Sequence, residues 1–189
     1  MLRADVSSVA AAAECVATTV RDLGRLDVLV CNAGITRDAV IWKMTEEAWD
    51  AVLDVNLKGC FTYCRAAAPV LRGQKRGRIV TIASINGLRG KFGQSNYAAS
   101  KAGVMALTKS LARELGAFGV TVNCVAPGFI RSDMTDRLPA DVVSGAVTES
   151  ALGRLGEPED VARTVAFLCS EGARHITGEV IKVDGGQYI

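Results

Sequence analysis

The sequence predicts an α/β fold, a parallel β-sheet wrapped by helices, and three observations carry that prediction. Short, continuous apolar runs such as Val28–Cys31 read as strands buried on both faces. Longer segments between them space their apolar positions three and four apart, the period of a helix. The two kinds alternate along the chain, which specifies parallel strands joined by right-handed helical crossovers. A length of 189 residues suits one domain, spanning residues 1–189.

Each element has its own local cause. Val9–Leu23 reads as a helix capped by Ser7 or Ser8, with Gly24 to close it. Val28–Cys31 is the first strand. Thr45-Glu46-Glu47 opens a long helix, its carboxylates placed where the helix dipole favours them; it runs through Ala51, Val55 and Phe61 towards Leu71, with Gly73 just beyond its end. Residues 78–82 form the second strand, ending at Ala83-Ser84. Residues 97–118 form a helix that keeps Val104, Leu107, Leu111 and Leu115 on one face. Residues 120–125 are a third strand, stopped by Pro127-Gly128. Pro158 occupies the first turn of a further helix through Leu168. Val180–Val183 is the last strand.

Composition excludes several classes of function. With 49% hydrophobic and 22% charged residues the chain is not disordered. Twenty-two basic against 20 acidic side chains leave +2, too little for a nucleic-acid-binding surface. No apolar run approaches the ~18 residues that span a bilayer. The start, MLRADVSSVA, lacks the apolar core of a signal peptide. The expectation is a globular cytoplasmic protein with neither membrane nor nucleic-acid partner. The six cysteines lie in or at the end of apolar runs and read as small buried hydrophobes. Cys60 and Cys64 are one helical turn apart, a metal-ligand spacing, but no second pair or histidine lies near them in sequence, so no metal is expected. The single histidine, His175, makes a serine hydrolase triad or a zinc-bound water improbable.

In open parallel sheets, ligands bind beyond the carboxyl ends of the strands. Those positions hold Asn32-Ala33-Gly34, then Ser84, then Pro127-Gly128-Phe129-Ile130. Thirteen residues after Ser84 comes Tyr97, and four later Lys101, on the same helical face. A free phenol has a pKa near 10 and exchanges protons poorly at neutral pH; a nearby ammonium favours its ionised form. A hydroxyl at Ser84 can hold the oxygen of a reacting carbonyl. Each feature alone has a plainer reading: a surface helix pair for Tyr97 and Lys101, a turn for Asn32-Ala33-Gly34.

Their joint order resembles the short-chain dehydrogenase/reductase family: NAG at 32–34, Asn56 in DVNLKG, Ser84, Tyr97-x-x-x-Lys101 and PGFI at 127–130. The stretches GQSNYAASKAG, PGFIRSDMT, GRLGEPEDVA and the closing VDGG most resemble the 3-oxoacyl-(acyl-carrier-protein) reductases within it. The resemblance implies a Rossmann-like, doubly wound parallel sheet with helices on both faces. It also implies that Tyr97 donates the proton, that Lys101 lowers the Tyr97 pKa and holds the nicotinamide ribose, and that Ser84 orients the carbonyl. Gln94 and Ser84 would touch the substrate with Tyr97. Asn56 would anchor a water linking Lys101 to solvent; a helix-kinking residue with a satisfied side chain is its alternative reading. Asp5 and Val6 would contact the adenine, Asn32, Ala33 and Gly34 would pass beneath its ribose, and Pro127, Gly128, Ile130 and Ser132 would meet the carboxamide end. The implied cofactor is NADP(H), with NAD(H) not excluded. The implied substrate is a 3-oxoacyl thioester, carried by acyl carrier protein, and the implied assembly is a homotetramer or dimer in the cytoplasm, or in the plastid stroma for a plant or algal source.

The chain departs from the family in one large respect. No glycine-rich phosphate-binding turn precedes Asp5, and Gly87, Gly90 and Gly93 read as loop punctuation. By resemblance Leu2-Arg3-Ala4-Asp5 is the third strand of the full fold, so the first βαβ unit, roughly 30 residues or more, is lacking. Its lack is expected to separate that third strand and to leave Val28–Cys31 as an apolar sheet edge. Phe118 stands where the carrier-protein reductases often have a basic residue, while Arg72, Lys75, Arg76 and Arg78 form a candidate basic rim. Two other readings remain: an acetoacetyl-CoA, alcohol or sugar dehydrogenase of the family, and a non-catalytic oligomerising fragment.

Overall fold

A computed structural model describes residues 2–132, 135 and 139–189. Asp133 and Met134 of the PGFIRSDMT stretch lie outside them. The four strands β1 (Val28–Cys31), β2 (Gly77–Ile82), β3 (Val120–Pro127) and β4 (Val180–Val183) form one all-parallel sheet in sequential order. β2 and β3 are the buried interior strands, as their continuous apolar sequences require. The side chains of each strand alternate between two layers. Leu29, Cys31, Ile79, Val122 and Cys124 face a core shared with α1 (Val9–Leu23), α3 (Gly59–Gln74) and α5 (Ser95–Leu115). Val80, Val125, Ile181 and Val183 face α7 (Pro158–Cys169) on the opposite side. The sheet therefore carries helices on both faces, as expected.

Several local causes act as the sequence implies. Ser8 caps α1 by accepting from the Ala11 amide, and Gly24 closes it at φ 81°. Thr45 caps α2 (Glu46–Leu53) by accepting from the Ala48 amide. Pro158 opens α7, where Glu157 and Asp160 cap each other's backbone amides.

Other expectations need correction. The helix from Thr45 towards Leu71 is interrupted by a π-helical turn over Asp54–Lys58. Gly73 does not lie beyond the end of α3; the helix continues to Gln74 and closes on Lys75, which takes the left-handed conformation at φ 54°. Residues 116–118 are a 3-10 turn appended to α5. Residues 2–5 form no strand. Beyond it the chain is held: the Thr62 hydroxyl donates to the Val6 carbonyl at 2.7 Å, and Val6 packs on Gly59. The sequence reading assigned nothing to α4 (Asn86–Arg89) or α6 (Ala140–Glu149).

The expected sheet edge is present. Among the described residues β1 pairs only with β2, and its Val28 and Val30 are 39% and 41% exposed on the face turned away from α1 and α3. Cys31, Cys60, Cys64 and Cys124 are buried, whereas Cys15 and Cys169 are only partly so. Among the described residues no cluster of His, Cys, Asp or Glu has a metal-binding arrangement, and no helix is long and apolar enough to cross a membrane.

Candidate active site

Three elements deliver the candidate residues to the carboxyl ends of β1, β2 and β3. Ser84 follows β2 and is 8% exposed; its hydroxyl oxygen accepts from the Asn86 amide at 3.2 Å. The Ser84 hydroxyl lies close enough to the Tyr97 phenol to lower its pKa. Lys101, one turn further along α5, is 4% exposed. Its Nζ donates to the Ile82 carbonyl at 2.8 Å and lies 5.6 Å from the centre of the Tyr97 ring. Gly34 closes over the same ammonium: a Cβ there would sit 3.3 Å from Lys101 Nζ and 3.4 Å from Asn56 Oδ1. Ser84, Tyr97, Lys101, Asn56 and the Asn32-Ala33-Gly34 turn thus meet at one place.

The electrostatics differ from the expectation for Tyr97. Burial pushes its phenol above the usual value, the Ser84 hydroxyl opposes that rise, and the charge of Asp38 adds to it. The Lys101 ammonium donates to the Ile82 carbonyl and brings no depression of the phenol. Burial lowers the Lys101 pKa, against the pull of the Cys60 and Cys124 thiols. A phenol held protonated at neutral pH is in the form that a proton donor needs.

Asn56 is fully buried within the π-helical turn. Its Oδ1 accepts from the Ile35 amide at 2.8 Å, while Nδ2 donates to the Ile35 carbonyl at 3.1 Å and to Ser100 Oγ at 3.1 Å. Its side chain therefore pins the chain after Asn32-Ala33-Gly34 onto α5, the geometry of the satisfied, helix-distorting alternative. Ser100 passes the link on by donating to the Tyr97 carbonyl at 2.8 Å.

Gln94 sits at the mouth of α5, accepting from Asn86 Nδ2 at 3.0 Å and donating to Asp38 at 2.8 Å. Of the spaced glycines, Gly87 has a packing role: a Cβ there would lie 2.8 Å from the Ala102 amide, so its absence lets α4 press on α5 behind Lys101. Phe129, Ile130 and Ser132 are held differently. The Phe129 amide donates to Gln187 Oε1 at 2.6 Å, Ile130 bridges Gly156, and the Ser132 hydroxyl lies within a local turn with Thr135. The Gly128 amide donates to the Val183 carbonyl at 3.0 Å, tying this loop to β4. Asp5 is exposed and accepts from the amide and hydroxyl of Ser7, which lower its pKa. A separate hollow of about 630 Å3 lies against α6, lined by Arg131, Val143, Val147 and Leu155; Ser84, Tyr97 and Lys101 do not line it.

Sequence reasoning missed Asn96, which is fully buried beside Tyr97. Its Nδ2 donates to the Arg37 and Ala48 carbonyls at 2.9 and 3.2 Å, and its Oδ1 accepts from the Tyr97 amide at 2.7 Å. The available signal was an asparagine in the first turn of a helix, where its side chain can serve backbone groups. Asp38 carried no signal of its own.

This strand-end arrangement invites comparison with known proteins. A family model described as enoyl-(acyl carrier protein) reductase matches residues 1–187. The chain belongs to the short-chain dehydrogenase/reductase family. It is 49% identical over 176 residues to a 3-oxoacyl-(acyl-carrier-protein) reductase of Thermotoga maritima, covering 93% of this chain and 72% of that protein. A relative of the same name from Staphylococcus aureus is 51% identical over 170 residues, 90% of this chain and 69% of its own length. An acetoacetyl-CoA reductase of Shinella zoogloeoides is 46% identical over 185 residues, 97% of this chain and 77% of that protein.

Proposed function

We propose that the chain carries the catalytic half of an NADPH-dependent reductase that converts a 3-oxoacyl thioester into the 3-hydroxyacyl thioester. The observation that carries this reading is the convergence of Ser84, Tyr97 and Lys101 beneath Gly34. The nicotinamide supplies a hydride when bound. Ser84 Oγ and the Tyr97 hydroxyl then hold the substrate oxygen from one side, and Tyr97 gives it the proton. Lys101 presents its charge at Gly34, where a ribose hydroxyl would meet it. Gln94, fixed by Asn86 and Asp38, stands at the substrate side.

The residues fit the nicotinamide-nucleoside end of the cofactor better than its middle. Among the described residues, neither β1 nor β2 leads through a glycine-rich turn into a helix N-terminus, the usual cradle of a pyrophosphate. No step is assigned to that part of the cofactor. The choice of NADP(H) over NAD(H) rests on the resemblance of the site motifs alone.

Acyl carrier protein is the proposed thioester carrier, and a homo-oligomer the proposed assembly. The basic rim is smaller than its sequence implies: Arg76 and Arg78 both pair with Glu171, at 3.0 and 3.3 Å. Arg72 lies over the Phe118 ring, 5.4 Å from its centre, so Phe118 holds a basic group in place without being one. Acetoacetyl-CoA is the second substrate reading, favoured by the Shinella zoogloeoides relative. The test joins this chain to the part of the Thermotoga maritima protein that the match leaves out and follows NADPH oxidation with acetoacetyl thioesters of both carriers. Tyr97→Phe should lower the rate about 10²–10⁴-fold with the fold intact; an unchanged rate refutes the mechanism.

A further inference from the structure

Behind the candidate site lies a cluster of three thiols that the proposed reduction does not use. Cys31, the last residue of β1, places its Sγ 4.0 Å from Cys64 Sγ on α3. Cys60, one turn before Cys64, completes the group beside Cys31. We propose that Cys31 and Cys64 form a reversible disulfide that ties the end of β1 to α3. A disulfide needs its sulfurs about 2.05 Å apart, so the pair must close by roughly 2 Å. β1 is the element able to move: it is four residues long, it is paired on one side only, and Val28 and Val30 are exposed on its far face.

The neighbouring Cys60 and Cys64 thiols, together with burial, raise the Cys31 pKa, so Cys31 keeps its proton. With a peroxide as oxidant, Cys64 gives up its proton and its sulfur attacks one oxygen; the O–O bond breaks, leaving a sulfenic acid on Cys64 and a water. The Cys31 sulfur then displaces the sulfenic oxygen, which leaves with the Cys31 proton as a second water as the S–S bond forms, so two thiols and hydrogen peroxide give one disulfide and two waters. A dithiol reverses it by exchange. Closure would draw Asn32-Ala33-Gly34, the next residues of the chain, towards α3 and away from Lys101. That consequence matters to catalysis only on the reductase reading, but the disulfide itself stands independently.

The test treats the reduced 189-residue chain with equimolar hydrogen peroxide, then alkylates it in denaturant and digests it with trypsin. Peptides 26–37 and 59–65 should appear cross-linked, and dithiothreitol should release them. Peptide 59–65 carries both Cys60 and Cys64, so fragment ions must place the bond on Cys64. Cys64→Ala should abolish the link and Cys15→Ala should leave it. The proposal is overturned if Cys31 and Cys64 stay alkylated once the partly exposed Cys15 and Cys169 have been oxidised, or if the bond maps to Cys60.

Discussion

Lys101 shows how a residue at a candidate catalytic centre trades stability for placement. Its ammonium is nearly buried and its pKa lies below the ordinary 10.5. In the window between the folded and unfolded values the unfolded chain binds more protons, so stability rises with pH there. Below that window the destabilisation from burying the charge is present in full. Lys101→Met removes it while keeping the length of the side chain. We expect the variant to melt above the parent at pH 7, the gap closing as pH approaches 10.5, with reductase activity lost. Thermal denaturation across that range checks it, at about 2–4 °C per kcal/mol for a chain of this size. A lower melting temperature at pH 7 would show that the bond to Ile82 outweighs the buried charge. Asn56 is the opposite case. Asn56→Ala strands the Ile35 amide and carbonyl, and should cost about 1–3 kcal/mol, read as a fall in melting temperature.

At the scale of elements, what the sequence made legible follows from the range of the forces involved. α1, β1 and β4 match their expected bounds because Ser8, Gly24 and unbroken apolar runs act within a few residues. The π-helical turn at Asp54–Lys58 was hidden, because it serves the Ile35 and Ser100 partners, 21 and 44 residues from Asn56. The continuation of α3 past Gly73 was hidden similarly, since Gly77 packs on Leu71 and fixes where the chain must turn. In the site, the Tyr97–Lys101 spacing and Ser84 were legible as local chemistry. Asn96 and Asp38 were not, because their partners come from other elements. The edge strand was expected, and it sets a prediction. Val30 projects from β1 on the face away from α3, and edge strands are commonly guarded by lysine. Val30→Lys should reduce concentration-dependent association in light scattering while leaving stability within about 0.5 kcal/mol; unchanged association would mean that another surface drives it.

At the scale of the whole molecule, the chain holds the two ends of the proposed dinucleotide site more firmly than its centre. Val6 stays docked through Thr62 and Gly59, and the Gly128–Ile130 loop is tied to β4 and Gly156. Gly34, Asn56 and Lys101 are locked together between them. A pyrophosphate concentrates its charge midway, where tight binding needs backbone amides converging at a helix N-terminus. Among the described residues, the segments after β1 and β2 lead into no such cradle. Each charge-assisted hydrogen bond forgone is worth about 1.5–3 kcal/mol, so several together lower affinity by orders of magnitude. NADPH titrated into the 189-residue chain alone should therefore bind weakly or not at all, by calorimetry or nicotinamide fluorescence. The same chain joined to the unmatched part of the Thermotoga maritima relative should bind it far more tightly. Micromolar binding with turnover by the chain alone would contradict this, and would require another segment or a second copy of the chain to supply the phosphate contacts.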